Sequence, residues 1–441
     1  MGKPMRGGIN QVSGDVDEGY GAVADVFRRQ FAEGREVGAA CAVHRDGRLV
    51  VDLWGGYRDG RRRLPWERDT LVPVWSTTKG LASMTLAVAH SRGLVDFDER
   101  VAAYWPEFAQ NGKADVTVRQ LLSHRAGLAA LDDPISMEAM VDSDRLASQL
   151  ARQAPLWQPG HRQGYHAWTL GFYEGELLRR VDPAGRSLGV VFAEDVATPL
   201  GIEFHIGLPD HIGDERLATF HGVHPAQGLL RLNDMPRGLL LAFCIPGSMT
   251  SRAFKASSLA RHVDDINDRA VLHHEVPAFG GVGHARAIAV AYGELATGGT
   301  TLGLNPSTLA ELEAPASVPP GGRRDLILRS DIPFSLGFAK PFPGFPIGSS
   351  DRSYAMAGTG GSIGMADPDL GIGYAYTPNL MGFGSPTDPR EVALRSALYR
   401  SVGGRPQDSR SKLGQSRLLT TRGKSTTGRH ERMSLERKSR R

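Results

Sequence analysis

The chain has 441 residues, of which 41% are hydrophobic, 23% charged and 7% aromatic. That balance excludes a disordered chain, a collagen and a disulfide scaffold, and at about 150 residues per domain it allows two or three lobes with a sizeable core. The formal net charge of +4 is unevenly placed: residues 403–441 carry 12 Lys+Arg against 3 Asp+Glu, which leaves 40 basic and 45 acidic groups, a net of −5, for the other 402. The basic excess therefore describes the last segment, and the bulk of the protein is mildly acidic.

In chain order, Val23, Val26, Phe27 and Phe31 fall at helical spacing and predict an amphipathic opening helix. Two β-type runs follow, residues 39–44 and 48–56. They meet at Arg45-Asp46-Gly47, where Asp-Gly is a hairpin signal because both residues tolerate positive φ. Gly80 to His90 reads as a helix closed by Arg92-Gly93, and residues 117–200 read as helices and loops, clearest at Thr117–Leu122 and Leu170–Val181. Ala285 to Ala296 is a further helix. The strand pattern then returns in SLGFA (335–339), SIGMA (362–366) and GIGYAY (371–376), and residues 389–402 form a closing helix.

Strands at both ends around a helical middle imply an α/β lobe from about 20–100 and 285–402 with a mostly helical lobe, about 101–284, inserted between them. Residues 1–402 are expected to form one domain. Residues 403–441, rich in Ser, Thr, Arg, Gly and Lys, are expected to be a disordered basic tail. Cys41 and Cys244 match no metal or redox spacing, and both are expected to be buried free thiols. No secretory signal is visible in the first 15 residues, and the longest apolar run, Gly238 to Ile245, is far shorter than the roughly 20 residues of a membrane span. The expectation is a cytoplasmic protein with no membrane span.

The chain contains 44 Arg but only 8 Lys, five of them before residue 403. One of those five, Lys79, lies in Trp75-Ser-Thr-Thr-Lys-Gly80 at the head of a helix. A Ser and a Lys three residues apart in a helix are about 4.5 Å apart along its axis on adjoining faces, so the amine can reach the hydroxyl. Burial lowers a lysine pKa enough for it to take a serine proton. A second S-x-x-K, Ser409–Lys412, falls in the tail. Gly360-Gly-Ser362-Ile-Gly364 matches the G-x-S-x-G elbow of α/β-hydrolases, but a strand, a turn and another strand follow it where the elbow requires a helix, so Ser362 is read as part of a Gly-rich strand. In Trp157-Gln-Pro-Gly-His-Arg-Gln-Gly-Tyr165-His-Ala-Trp168, a Pro-Gly turn precedes a tyrosine that can aim its phenol into a cleft. Beside a cationic lysine that phenol is expected to have a depressed pKa.

Together, Trp75–Gly80, Val116-Thr-Val-Arg-Gln-Leu-Leu-Ser-His-Arg-Ala-Gly-Leu128, Pro159-Gly…Tyr165-His-Ala and Gly358-Thr-Gly-Gly-Ser362 resemble, in this order, the serine β-lactamase-like superfamily. Within it the chain is most similar to the class C-related esterases, the family VIII carboxylesterases and similar bacterial lipase and esterase proteins, over roughly residues 20–402. The resemblance implies a β-lactamase/transpeptidase-like α/β fold, with an antiparallel sheet flanked by helices and a mostly helical lobe. It implies Ser76 as the acylated nucleophile, Lys79 as its base and Tyr165 as the proton carrier. The oxyanion site would be made by the backbone N–H of Ser76 and the Gly358–Thr359 strand, most directly Thr359. Neither cofactor nor metal is required.

Two departures bear on substrate. Related lactamases and peptidases place Lys-Thr-Gly, and many esterases a His, where this chain has Met356-Ala357-Gly358; methionine offers no charge to a substrate carboxylate. Tyr165-His166-Ala167 stands where class C lactamases carry Tyr-x-Asn, and Ala167 cannot give the amide hydrogen bonds of that Asn. Both favour a neutral or apolar acyl substrate. His124 and His166 flank the site without an assigned role, and Trp75, Trp168 and Phe279 fit either an acyl pocket or the core. The leading reading is a serine hydrolase of small carboxylic esters. Others are a β-lactamase or a D-aminopeptidase/DD-peptidase-like enzyme, an acyltransferase, or an inactive hydrolase-shaped protein docking nucleic acid or anionic membrane through its tail. No specific nucleic acid is expected as partner, and the oligomeric state is left open.

Overall fold

The computed structural model describes residues 12–222, 237–256, 262–382 and 387–404. Its main sheet is antiparallel and takes strands from both ends of that span. Its order is β1-β3-β2-β12-β11-β10-β9-β8. The N-terminal members are β1 (Val12–Val16), β2 (Gly38–Arg45) and β3 (Arg48–Asp59), with the two-residue β4 (Leu64–Pro65) on the side of β3. The C-terminal members are β8 (Phe334–Ser335), β9 (Phe338–Ala339), β10 (Tyr354–Ala357), β11 (Ile363–Asp367) and β12 (Ile372–Pro378). The β2–β3 turn is the Asp-Gly hairpin expected, with φ of 48° at Asp46 and 81° at Gly47. A small second sheet joins β5 (Val72–Pro73), β7 (Gly281–Gly283) and β6 (Phe204–Ile206) in the order β5-β7-β6.

Alternation along β12 decides what covers each face. Gly373 faces α6 (Ala285–Ala296), which approaches so closely that a Cβ there would lie 2.1 Å from Ala289 O. Tyr374 and Tyr376 point the other way, toward α7 (Pro389–Ser401), itself packed on α1 (Gly21–Ala32). Between the sheets runs α2 (Thr77–Ser91), buried on every side from Thr77 to Ala89, which accounts for its apolar and small residues and makes the buried Lys79 the exception among them. The intervening region supplies mostly helices, among them the short α3 (Val118–Leu122), opened by a Thr117/Gln120 capping box, and α4 (Thr169–Val181) against α2.

Three expectations change. SLGFA is not one strand but the β8–β9 hairpin, turning at Leu336 and Gly337, both at positive φ. The Tyr354–Ala357 strand, too short to show a period beside the Gly-rich run, was not anticipated. Cys41 is buried, but Cys244 is exposed. It ends α5 (Arg237–Cys244), a surface helix whose Leu241 is 64% exposed; the apolar run 238–245 marked a helix, not a core. The tail from Arg405 onward lies outside the described residues. No helix among the described residues is long and apolar enough to cross a membrane.

A buried ionic network ties α7 to the sheet. Arg390 donates to Glu36 Oε2 at 3.1 Å, to both Asp388 oxygens at 3.0 and 2.8 Å, and to Gly360 O at 2.9 Å. Glu36 also takes a hydrogen bond from Tyr376. Burial pushes the Glu36 carboxyl up to about 7, against the pull of Arg390. Arg390→Met leaves two acidic groups buried without their cation. It is expected to cost about 3–5 kcal/mol of unfolding free energy in urea titration near neutral pH.

Candidate active site

The start of α2 is built by a tight strand-to-helix turn. β5 ends at Pro73, Val74 N–H donates to Gly281 O at 3.0 Å, and Trp75 adopts a left-handed conformation with φ of 50°. A bulky residue there is strained by roughly 1–3 kcal/mol and persists only where its surroundings hold it. Trp75 is held through its ring, 5.9 Å from Phe279 and 5.8 Å from Phe220, and through its carbonyl, which accepts the N–H and hydroxyl of Thr78. The turn pushes Ser76 outward. It is the one residue between Thr70 and Ala89 that is not buried. Although Ser76 occupies the N-cap position, its hydroxyl makes no capping bond.

That hydroxyl meets Lys79 instead, with Nζ 3.1 Å from Ser76 Oγ. Lys79 is fully buried and donates to two carbonyls, Ala167 O at 2.8 Å and Ala278 O at 2.7 Å. Burial lowers its pKa to about 7, with Glu174 acting in the opposite sense. In the neutral amine the two N–H groups are fixed on the two carbonyls, so the lone pair faces Ser76 Oγ. Tyr165 completes the trio: its ring lies under Lys79 Nζ, 4.9 Å away, and its phenol interacts with the Ser76 hydroxyl. Its acidity differs from expectation, because burial outweighs every other influence and raises the phenol pKa. Tyr165 is a neutral phenol at working pH.

Three consecutive backbone donors fix Tyr165. Gly164 N–H bonds His124 O at 3.0 Å, Tyr165 N–H bonds Asp325 Oδ1 at 3.2 Å, and His166 N–H bonds His124 Nδ1 at 3.0 Å. His166 Nε2 accepts from Leu128 N–H at 2.9 Å, which places its proton on Nδ1, 3.1 Å from His124 Nδ1. Both rings are therefore neutral acceptors. Burial and the nearby Lys79 carry His166 down to about 3, and burial, His166 and Lys79 hold His124 well below its usual range. The flanking histidines are a scaffold for the tyrosine.

The Gly-rich turn joining β10 to β11 lies against the same helix start. Ser362 Oγ donates to Val74 O at 2.7 Å and lies 3.0 Å from Thr77 Oγ1, so it clamps this turn to the one carrying Ser76 and is not a free nucleophile. Gly358 N–H is taken by Ser362 O at 2.8 Å, so it is not offered to a ligand. What Gly358 provides is closeness, since a Cβ there would lie 2.2 Å from Val74 O. Among the described residues the N–H groups of Ser76 and Thr359 donate to no protein acceptor. Met356 is buried with its Cβ toward Gly80, so no charge enters from that strand position. Trp75, Phe279 and Trp168 form one aromatic row, with Phe279 4.2 Å from Trp168. Sequence reasoning did not find Ala278 O or Ala167 O, which are backbone groups with no side-chain signal, nor Asp325 and Glu174.

This arrangement is that of a β-lactamase/transpeptidase-like serine hydrolase fold. The Beta-lactamase family model matches residues 23–398, and the chain belongs to that family. It is 32% identical over 370 residues to Esterase/beta-lactamase LipL of Mycobacterium tuberculosis, covering 84% of this chain and 83% of that one. A solved family VIII carboxylesterase is 37% identical with a TM-score of 0.76, over 89% of this chain and all of that one. A penicillin-binding protein homologue from Caulobacter crescentus is 35% identical with a TM-score of 0.74, over the same shares.

Because Lys79 accepts a proton only when neutral, reactivity at Ser76 should be lost as pH falls through its value of about 7. The rate of labelling by a fluorophosphonate, followed by intact mass, is expected to fall about tenfold per pH unit below that point.

Proposed function

We propose that this protein hydrolyses carboxylic esters through an acyl-enzyme on Ser76. The observation that carries the reading is the orientation of Lys79, whose two N–H groups are held by Ala167 O and Ala278 O so that its lone pair faces Ser76 Oγ. Ser76 Oγ attacks the ester carbonyl carbon while Lys79 Nζ takes the serine proton. The negative oxygen is received by the free N–H groups of Ser76 and Thr359, where one such donor is typically worth ~10²–10³ in rate. Tyr165 then gives its phenolic proton to the departing alkoxide and is reprotonated by Lys79. In the second half a water replaces the alcohol, losing its proton along the same path as the acid leaves. The esterase-named relatives support this class of substrate.

The neutral surroundings supplied by Met356 and Ala167, with the aromatic row of Trp75, Phe279 and Trp168, favour uncharged acyl groups over the carboxylate-bearing substrates of lactamases and peptidases. Incubation with p-nitrophenyl butyrate should give a burst and one butyryl group on Ser76 by mass. Ser76→Ala should lose both, with activity down by about 10³-fold or more. Full activity in that variant overturns the assignment, and turnover of a chromogenic cephalosporin faster than the ester would move the substrate class to β-lactams. Ser362→Ala, which frees the Gly-rich turn from the Ser76 turn, is expected to lower kcat about tenfold with KM little changed.

A further inference from the structure

Three of the six exposed large hydrophobic side chains among the described residues, Leu241, Phe243 and Ile245, fall within five positions on and just after α5. Gly238, Leu241, Cys244 and Ile245 stand at i, i+3, i+6 and i+7 and share one exposed stripe, while Ala242 is buried with its carbonyl taken by Ser248 Oγ. Phe243, at the edge of the stripe, leans on Phe254, with ring centroids 4.8 Å apart. An exposed Pro246-Gly247 turn, with φ of 76° at Gly247, ends it. A contiguous apolar tip of this kind marks a surface that something covers.

Cations border the tip. A Cβ at Gly238 would lie 3.4 Å from Arg324 Nη2 and 3.5 Å from Arg329 Cβ, so the loop 321–331 runs beside one end of the stripe. Lys255, exposed, directly follows Phe254. Among the described residues the side chains of Arg323, Arg324, Arg329 and Lys255 form no ion pair, whereas Arg252 is held by Asp132 at 2.6 Å. Segment 237–256 contains no acidic residue, and the loop 321–331 has two: Asp331 is exposed, and Asp325 is buried, its carboxylate taken by the N–H groups of Tyr165, Ile327 and Leu328. This excess of positive charge stands out against residues 1–402, which carry a net of −5. The same loop supports the site, since Asp325 Oδ1 is 3.2 Å from Tyr165 N and Ile327 O accepts from Thr250 Oγ1, after α5, at 2.8 Å.

Size and charge select the occupant. A helix of eight residues is about 12 Å long and 10 Å wide, a footprint on the order of 100 Å², against the ~800 Å² per partner that a stable protein interface buries. A lipid surface needs only a few inserted apolar side chains with cations at their margin, whose long stems lie along the apolar face while the charged heads reach phosphates. We propose that this face of α5 docks the protein on an anionic lipid surface, so that the esters offered to Ser76 are those of lipids held there. The docking stands on the face alone; the substrate class rests on the reading of Ser76 as the nucleophile of an esterase.

The test is flotation of the full chain with vesicles of phosphatidylcholine alone or with about one-third phosphatidylglycerol, in wild type, Leu241→Asp and Arg324→Glu. Wild type should float with the anionic vesicles and not the neutral ones, and less as salt rises from about 0.1 to 0.5 M. Each variant should bind the anionic vesicles about tenfold more weakly. Hydrolysis of p-nitrophenyl palmitate embedded in those vesicles should fall with binding, while kcat/KM for p-nitrophenyl butyrate in solution stays unchanged. Should Leu241→Asp fail to fold, Ile245→Ser takes its place. Wild type that does not float overturns the docking. So do variants that float as wild type does, which would assign the attraction to the basic residues 403–441, or the face to a second copy if Leu241→Asp instead abolishes a dimer in sedimentation velocity. Embedded ester cleaved at the wild-type rate by variants that no longer bind overturns the substrate class. Wild type that floats but takes no acyl group on Ser76 overturns the esterase reading and leaves the docking standing.

Discussion

A lysine ammonium has no acceptor capacity and three donors, and burying one away from any carboxylate contact is costly. Lys79 is buried with two carbonyls and a hydroxyl as its hydrogen-bond partners among the described residues, and that choice of partners decides how easily it loses its charge. Two carbonyls, Ala167 O before α4 and Ala278 O before β7, converge on one nitrogen from segments more than 100 residues apart. They hold three parts of the chain together at a point where the amine is easily made neutral. A carboxylate in their place would have held the lysine charged. Each of those carbonyls is followed by an aromatic residue, Trp168 and Phe279, so the same contact that orients the Lys79 amine also sets the aromatic row beside Ser76.

The second requirement is that the Gly-rich turn stay in register with the start of α2. It is met from two sides. Ser362 bonds Val74 O and Thr77 from the α2 side, and Arg390 bonds Gly360 O from the α7 side, anchored in turn by Glu36 and Asp388. The glycines in between admit the close approach: a Cβ at Gly361 would lie 2.6 Å from Asp388 Oδ2. A G-x-S-x-G pattern that looks like a nucleophile elbow is here a clamp, because the chain after it continues as a strand and its hydroxyl is already committed. Tyr165 is placed with equal economy, by backbone N–H groups given to His124 and Asp325. The conformation of His124, at φ 59°, lets its carbonyl and its ring serve neighbouring positions of one segment.

Much of this was legible in the sequence. The Asp-Gly hairpin, the helices over Ala285–Ala296 and Leu170–Val181, and the Ser76/Lys79 pair all rest on local spacing, and local spacing survives folding because it is fixed by helix and strand geometry. What misled was local pattern without context. SLGFA looks like a strand but folds back on itself at Gly337, and the apolar run containing Cys244 lies on the surface. The phenol of Tyr165 was expected to be acidified by a cation. Its acidity depends instead on how completely it is buried, which no sequence window reports.

The sequence by itself determined the residues able to do chemistry and the turn that presents them: a serine and a lysine one turn apart, a tyrosine after a Pro-Gly turn, and a glycine run that admits close backbone approach. Tertiary structure alone decided their chemical state. Lys79 is readily neutral because it is buried among carbonyls from distant segments, Tyr165 stays neutral because it is enclosed, and the Ser362 hydroxyl is committed because it donates to Val74 O. These are effects of how completely each group is enclosed and of backbone atoms from remote segments; the sequence allowed for a buried lysine, but the carbonyls that surround it and the enclosure of Tyr165 have no side-chain signature that could be read in advance.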